Sequence, residues 1–214
     1  MTNLSQERRR LWLPQLLFGL SLVFLGFGLW AVGWVVWPEA SDRVQYQLPA
    51  GTLPGSPVDE DYASLADYTL TVEWSKRLRL GQTGKLKLTL AERDPEAEPA
   101  EGPQIVLVEP ALFGLALDPP GLLQVSKAPG HALSPTWAVT AQSPGDYEGK
   151  VYVSFGYYDE EEELMVAVPV AVADVSVSVS AFLGLNAQLA LWFGLVALVL
   201  WGALFVLGRV AAGK

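Results

Sequence analysis

Two long runs without a charged residue, residues 11–37 and 182–208, constrain this chain more than any other feature of its sequence. A helix that crosses a bilayer needs about 20 consecutive apolar residues, and both runs exceed that length. The segment between them, residues 38–181, is long enough to build a hydrophobic core of its own. The sequence therefore predicts two transmembrane helices that flank one folded domain, and it excludes a single soluble enzyme domain that fills the whole chain.

Basic residues flank the two runs on the sides nearest to the chain ends. Arg8, Arg9 and Arg10 precede the first run, whereas Arg209 and Lys214 follow the second. The chain has a net charge of −9, which divides into +4 for the two tails and −13 for the segment between the runs. Because positively charged flanks stay in the cytoplasm, we expect residues 1–10 and 209–214 to be cytoplasmic tails. The expected location is the inner (cytoplasmic) membrane, with the central segment outside.

The first run also begins like a secretory signal peptide, because basic residues precede it. Its apolar part is about twice as long as an ordinary signal-peptide core, and no clear cleavage site follows it. We therefore predict that it is retained as an anchor. In the second run, Asn186 is predicted to cap the start of the helix.

Small residues recur at helical spacing within both runs. They are Gly19, Gly26 and Gly33 in the first run and Ala187, Ala190, Gly194 and Ala197 in the second. Such stripes let helix backbones approach closely, so we predict that they are packing faces, either between the two helices or against another subunit. Neither run contains an ionisable side chain. We therefore do not expect a transporter or pump that acts alone, because proton and ion pathways need such groups.

The central segment divides into a linker and a β-rich domain. Residues 38–67 contain four prolines and no sustained period, which is typical of an extended linker. Residues 68–181 alternate between polar and apolar side chains, and turn signals separate the alternating stretches. Strands are predicted at 68–74, 76–80, 84–90, 104–108, 112–117, 122–127, 136–142, 148–155, 164–170 and 173–180. The predicted fold class is a membrane-anchored all-β protein with one β-sandwich.

Residues 143–153 read Ser-Pro-Gly-Asp-Tyr-Glu-Gly-Lys-Val-Tyr-Val. This segment resembles the late hairpin of bacterial immunoglobulin-like or fibronectin-like domains, and the resemblance covers residues 68–180. It implies that Tyr147 holds a corner of the domain and that Trp137 fills a core position on a preceding strand. It also implies a role in adhesion or subunit contact. The chain has no cysteine, so the disulfide of antibody domains is missing.

Two charged clusters interrupt the β pattern. Five of the basic residues gather in one predicted hairpin, namely Lys76, Arg77, Arg79, Lys85 and Lys87. Arg77, Arg79, Lys85 and Lys87 are expected on one solvent-facing side, either paired with nearby acids or protecting an edge strand. Contact with anionic headgroups or an acidic partner is the alternative. The acidic run Asp159, Glu160, Glu161, Glu162 and Glu163 is interpreted as a solvated loop, with docking as its alternative role.

No motif of catalysis or cofactor binding is found in the chain. We therefore expect no enzymatic activity and no cofactor, and the acidic charge of the domain excludes nucleic acid as a partner. The predicted function is that of a membrane-anchored accessory or assembly subunit. Its β-sandwich would contact integral membrane subunits or a second copy of the chain. The alternative is a receptor for a peptide, glycan or envelope ligand that signals through a separate partner.

Overall fold

The computed structural model describes residues 4–48, 67–92, 105–128, 131–159 and 164–212. The chain divides into two compact units. One consists of Met1–Pro38 with Ala181–Lys214 and is helical, and the other consists of Glu39–Ser180 and is made of β-strands.

The helical unit contains α1, Leu4–Val36, and α2, Ala187–Ala212. Both helices are long and apolar enough to cross a membrane. The Asn186 side chain accepts a hydrogen bond of 2.8 Å from the Leu189 amide, which confirms the predicted cap. The helix therefore starts later than the apolar run does. Between residue 182 and Asn186 the chain makes a tight turn, in which Leu183 and Gly184 have positive φ angles of 52° and 81°.

The described part of the β unit contains ten strands. These are β1 Ser41–Leu48, β2 Tyr68–Ser75, β3 Arg77–Arg79, β4 Thr83–Glu92, β5 Ile105–Leu112, β6 Leu115–Asp118, β7 Leu123–Ser126, β8 Thr136–Ala141, β9 Gly145–Asp159 and β10 Leu164–Ser180. They form two five-stranded sheets. The first sheet has the order β1-β2-β4-β8-β6, and the second has the order β3-β10-β9-β5-β7.

The strand order is that of an immunoglobulin-type sandwich. Strands β2-β4-β8-β6 occupy the places of strands A, B, E and D, while β5, β9 and β10 occupy those of C, F and G. Neighbouring strands are antiparallel except β3, which runs parallel to β10. The predicted all-β sandwich is therefore confirmed for the β unit.

Side chains of both sheets meet in one hydrophobic core. Its largest fully buried members include Trp137, Tyr68, Phe155, Leu70, Leu86, Leu88, Val106, Val108 and Val151. The prediction for Trp137 is thus confirmed. Leu78, Leu86, Leu88 and Leu90 also point inward, as the alternation of their strands requires.

Tyr147 holds the corner where the chain enters β9. Its hydroxyl donates a hydrogen bond of 2.7 Å to the Ser143 carbonyl, four residues earlier, and also lies 2.8 Å from the Ser143 hydroxyl. Gly114 packs against the ring, because a Cβ atom there would lie 2.8 Å from Tyr147 Cε1. The φ of Gly114 is +80°, a conformation that favours glycine. The corner that the family resemblance implies for Tyr147 is confirmed.

Removing this hydroxyl should weaken the sandwich. We expect Tyr147→Phe to lower the free energy of unfolding by about 1 kcal/mol, the usual net worth of one hydrogen bond. Urea unfolding of the full chain in micelles would measure it. Tyr152→Phe is the matched control, because Tyr152 is 42% exposed. Equal losses from the two substitutions would contradict the role of the corner.

Three strand predictions need correction. The predicted linker contains β1, whose Val44, Tyr46 and Leu48 pack against the core. The stretch predicted as one strand at 112–117 is broken by a turn at Phe113 and Gly114. The stretches predicted as two strands at 164–170 and 173–180 are one strand, β10. An irregularity in its register between Pro169 and Ala171 moves the buried positions from even to odd residue numbers.

The predicted hairpin of residues 76–90 is also wrong, because its two arms belong to different sheets. After β2 the chain crosses to the second sheet, where β3 pairs with β10, and β4 then returns to the first sheet. Leu78 inserts between the sheets at this crossing and is buried. The glycine at position 84 leaves room for it, since a Cβ atom there would collide with Leu78 Cδ2.

Two aromatic side chains connect the sheets along β10. The Tyr46 hydroxyl of β1 donates a hydrogen bond of 3.0 Å to the Val172 carbonyl. The Trp74 indole nitrogen of β2 donates one of 2.9 Å to the Ser176 carbonyl. Both carbonyls lie on the side of β10 that faces away from β9. Among the described residues no strand donates a hydrogen bond to them, and the two aromatic side chains do so instead.

A buried ion pair connects the sheets elsewhere. The Lys127 ammonium, just after β7, lies 2.5 Å from a carboxylate oxygen of Glu92 at the end of β4. Their side chains are 2% and 11% exposed. The ammonium also lies 4.8 Å from the centre of the Tyr68 ring, a cation–π contact. The pair is therefore a charged contact that is largely shielded from solvent.

Candidate functional site

The helical unit brings the small residues of α2 into contact with α1. Ala187, Ala190, Gly194 and Ala197 are all buried. A Cβ atom at Gly194 would lie 3.0 Å from Val32 Cγ2 and 3.1 Å from Ala31 Cβ. At the other end of the contact, the rings of Phe18 and Phe205 meet edge to face with their centres 5.7 Å apart. The predicted stripe of α2 is the face that contacts α1.

The matching face of α1 is a different one from the predicted stripe. Gly28 lies in the contact, and a Cβ atom there would collide with Leu198 at 2.7 Å. Gly19, Gly26 and Gly33 are exposed, with no neighbouring atom within 4 Å of the Cβ position. The physical reason is helical geometry. Gly28 follows Gly26 by two residues, which is roughly 200° round an α-helix. A packing role for the exposed stripe therefore requires another helix and stays a prediction.

The basic cluster is dispersed by the crossing of the chain between sheets. Arg77 and Arg79 lie on β3, at the edge of the second sheet, whereas Lys85 and Lys87 lie on β4, the middle strand of the first. The prediction that Lys85 and Lys87 protect an edge strand is therefore wrong, because β4 is not at an edge. Lys76 pairs with Asp42 at 2.8 Å, so local acid pairing holds for that residue. The hydrogen bond from Lys76 lowers the pKa of Asp42.

The acidic run cannot be placed in full. Asp159 is the last residue of β9, and Glu160, Glu161, Glu162 and Glu163 lie outside the described residues. Among the described residues, no group of three or more metal-binding side chains comes together.

An open depression of about 560 Å³ lies on the outer face of the second sheet. Strands β5, β9 and β10 form its floor, and the turn after β5 supplies one side. Its lining residues are Ala111, Phe113, Glu148, Gly149, Lys150, Tyr152, Asp174, Val175 and Ser176. Ala111, Lys150 and Asp174 are cross-strand neighbours in one row. The small side chain of Ala111 leaves space between the larger ones.

A surface ion pair crosses this depression. Lys150 Nζ lies 2.9 Å from Asp174 Oδ1, and both side chains are more than half exposed. The hydrogen bond to Asp174 raises the pKa of Lys150 above its ordinary value. Lys150 is therefore charged at neutral pH, and both groups keep further hydrogen-bonding capacity that faces solvent.

Sequence reasoning missed this depression. The strand predicted at 112–117 includes Phe113, whereas this residue lies in a turn and is 81% exposed. The signal that was present is the pair Phe113-Gly114, an aromatic residue followed by a glycine at a turn. The sequence predicts that Lys150 and Tyr152 lie on a strand. Their neighbours across the sheet depend on the order of the strands, and the alternating pattern of a single strand carries no information about that order.

No protein-family model and no curated protein sequence matches the chain. Solved structures with similarity include the CARDB domain of a Pyrococcus furiosus protein, in complex with di-metal ions. It is 17% identical, the match covers 54% of this chain and 89% of that one, and the TM-score is 0.36. The seventh PapD-like domain of human CEP192 is 10% identical, with 50% and 81% covered and a TM-score of 0.28. A beta-glucosidase from Listeria innocua in complex with glucose is 16% identical, with 55% and 16% covered and a TM-score of 0.32. We draw no functional conclusion from these similarities.

Proposed function

We propose that this chain is a non-enzymatic, membrane-anchored accessory subunit. Its two helices span the inner membrane, and its β-sandwich lies on the extracytoplasmic side. The observation that carries the proposal is the exposure of the helices. Only 17% of the residues in an apolar stretch of 18 residues in each helix are buried. The core helix of a soluble protein would be mostly buried, whereas lipid is a favourable environment for exposed leucine, valine and tryptophan.

The orientation follows from charge. Basic residues flank the helices at the two chain ends, and such flanks stay in the cytoplasm. Both termini are then cytoplasmic and the acidic sandwich is outside. Reporter fusions at either terminus should behave as cytoplasmic, while a protease site introduced near Gly51 should be cut from outside. Cytoplasmic signal from the central segment would overturn the proposed orientation.

The role as a subunit is supported by the unused face of α1. Gly19, Gly26 and Gly33 remain exposed after α1 and α2 have paired. In lipid, helices associate through close packing of such small residues. A helix of another integral membrane subunit, or α1 of a second copy, is the partner that this face accommodates.

Mild-detergent purification followed by native mass analysis tests the assembly directly. We expect the chain to be recovered with a stoichiometric partner or as an oligomer. Gly26→Leu should reduce that recovery while leaving the sandwich folded, because the new side chain occupies the open face. Gly202→Leu is the matched control, since no atom lies within 4 Å of its Cβ position either. A solitary monomer in mild detergent would contradict the proposal.

A further inference from the structure

The depression on the second sheet contains two exposed aromatic rings, those of Phe113 and Tyr152. Phe113 is 81% exposed and Tyr152 is 42% exposed. The other aromatic residues of the β unit whose side chains are described are buried or half-buried. Both exposed rings line the same depression. Exposing an aromatic ring forgoes the burial of a large apolar surface, so two such rings at one place mark a surface that meets a ligand.

The polar side chains between these rings offer donors and acceptors side by side. Lys150 supplies a donor 2.9 Å from the acceptor oxygen of Asp174. Glu148 and Ser176, which face each other across β9 and β10, add an acceptor and a hydroxyl. Neighbouring hydroxyls of a sugar ring have a similar spacing. One can therefore accept a hydrogen bond from the ammonium while the next donates one to the carboxylate.

We propose that this depression binds a neutral oligosaccharide. The C–H faces of sugar rings stack on Phe113 and Tyr152, because the face of an aromatic ring carries negative charge that attracts polarised C–H groups. The ring hydroxyls bind Lys150, Asp174, Glu148 and Ser176. The site is an open binding surface and needs no catalytic group.

Other ligand classes fit the side chains less well. A wholly apolar ligand would bury the Lys150–Asp174 pair without offering it hydrogen bonds, which costs free energy. A strongly charged ligand would meet both the Lys150 ammonium and the carboxylates of Asp174 and Glu148. The surface therefore favours neither an anionic nor a cationic ligand. The volume of about 560 Å³ lies within the usual range for small-ligand sites.

The test uses the full chain in lauryldimethylamine oxide, because glycoside detergents carry sugar headgroups that would compete. The probes are cellobiose, maltose and N,N′-diacetylchitobiose, and binding is measured by saturation-transfer NMR at millimolar concentration. We expect at least one of them to bind. Phe113→Ala and Tyr152→Ala should each weaken that binding at least about tenfold, whereas Tyr152→Phe should retain the stacking contribution.

The control variant is Leu122→Ala, which removes an apolar side chain of comparable exposure outside the depression. It should leave saccharide binding unchanged, and circular dichroism should show that all variants fold. The proposal is overturned if no probe binds, or if the alanine variants bind as well as the wild type. It is also overturned if Phe113→Ala releases a co-purifying protein while no saccharide binds. Assembly through the helices can persist in each of these outcomes, so the two proposals fail separately.

Discussion

Lys127→Met is expected to lower the free energy of unfolding of the sandwich by about 3–5 kcal/mol, the usual cost of removing one partner of a buried ion pair. The Lys127 ammonium is the partner of the Glu92 carboxylate at 2.5 Å, and little of either side chain reaches solvent. Methionine has a similar length but no charge. It removes the ammonium that lies against the Glu92 carboxylate and also removes the cation from the Tyr68 ring. Urea unfolding of the full chain in micelles, followed by tryptophan fluorescence, would measure the loss.

The double variant Lys127→Met with Glu92→Leu separates the cost of removing one member of the pair from the value of the pair itself. Because a buried pair gains little over well-packed apolar residues, we expect the double variant to recover most of the stability that Lys127→Met loses. Lys150→Met breaks an exposed pair and serves as the surface control, with a much smaller effect. The prediction is wrong if Lys127→Met is as stable as the surface control Lys150→Met.

Gly194→Leu is expected to separate α1 from α2. The new side chain must enter a contact where Val32, Ala31 and the Gly28 carbonyl lie 3.0–3.3 Å from the Cβ position. Overpacking of this kind costs about 1–3 kcal/mol, and in lipid no hydrophobic force between the helices compensates for the lost packing. Gly28→Leu should have the same effect from the other side, because it collides with Leu198.

The contact can be followed by cross-linking, since the chain contains no cysteine of its own. Phe18→Cys and Gly208→Cys introduce thiols at two positions that lie together at the far end of the contact. A short bifunctional reagent should join them in the parent chain and should join them much less in the Gly194→Leu background. Gly26→Leu is the matched control, because its position is open. Equal cross-linking in the two leucine variants would show that the small residues do not set the helix contact.

Alternation of side chains predicted most of the sandwich because each strand has one buried face. The method failed where local composition conflicted with the pattern. Val44, Tyr46 and Leu48 alternate properly in β1, but the prolines that follow at 49, 54 and 57 suggested a linker. In β10 the buried apolar positions change from even to odd residue numbers near Pro169. The alternating pattern therefore predicts two strands there. The structure has one strand with a shift in register between Pro169 and Ala171.

Contacts between strands and between the two helices are harder to predict from the sequence. The spacing of Gly19, Gly26 and Gly33 identifies a face, but it does not state what covers that face. The actual contact uses Gly28 and Ala31, which stand among larger residues and form no obvious repeat. Likewise, the candidate saccharide site combines residues from three strands and a turn, so it exists only once the strand order is known.

The hydrogen bonds from Tyr46 and Trp74 to β10 have a consequence for contacts between copies of the chain. A strand with free carbonyls can pair with a strand of a neighbouring molecule. The two aromatic side chains occupy carbonyls of Val172 and Ser176 that such a strand would use. Extension of the sheet from one molecule to the next is therefore disfavoured at this edge of the sandwich.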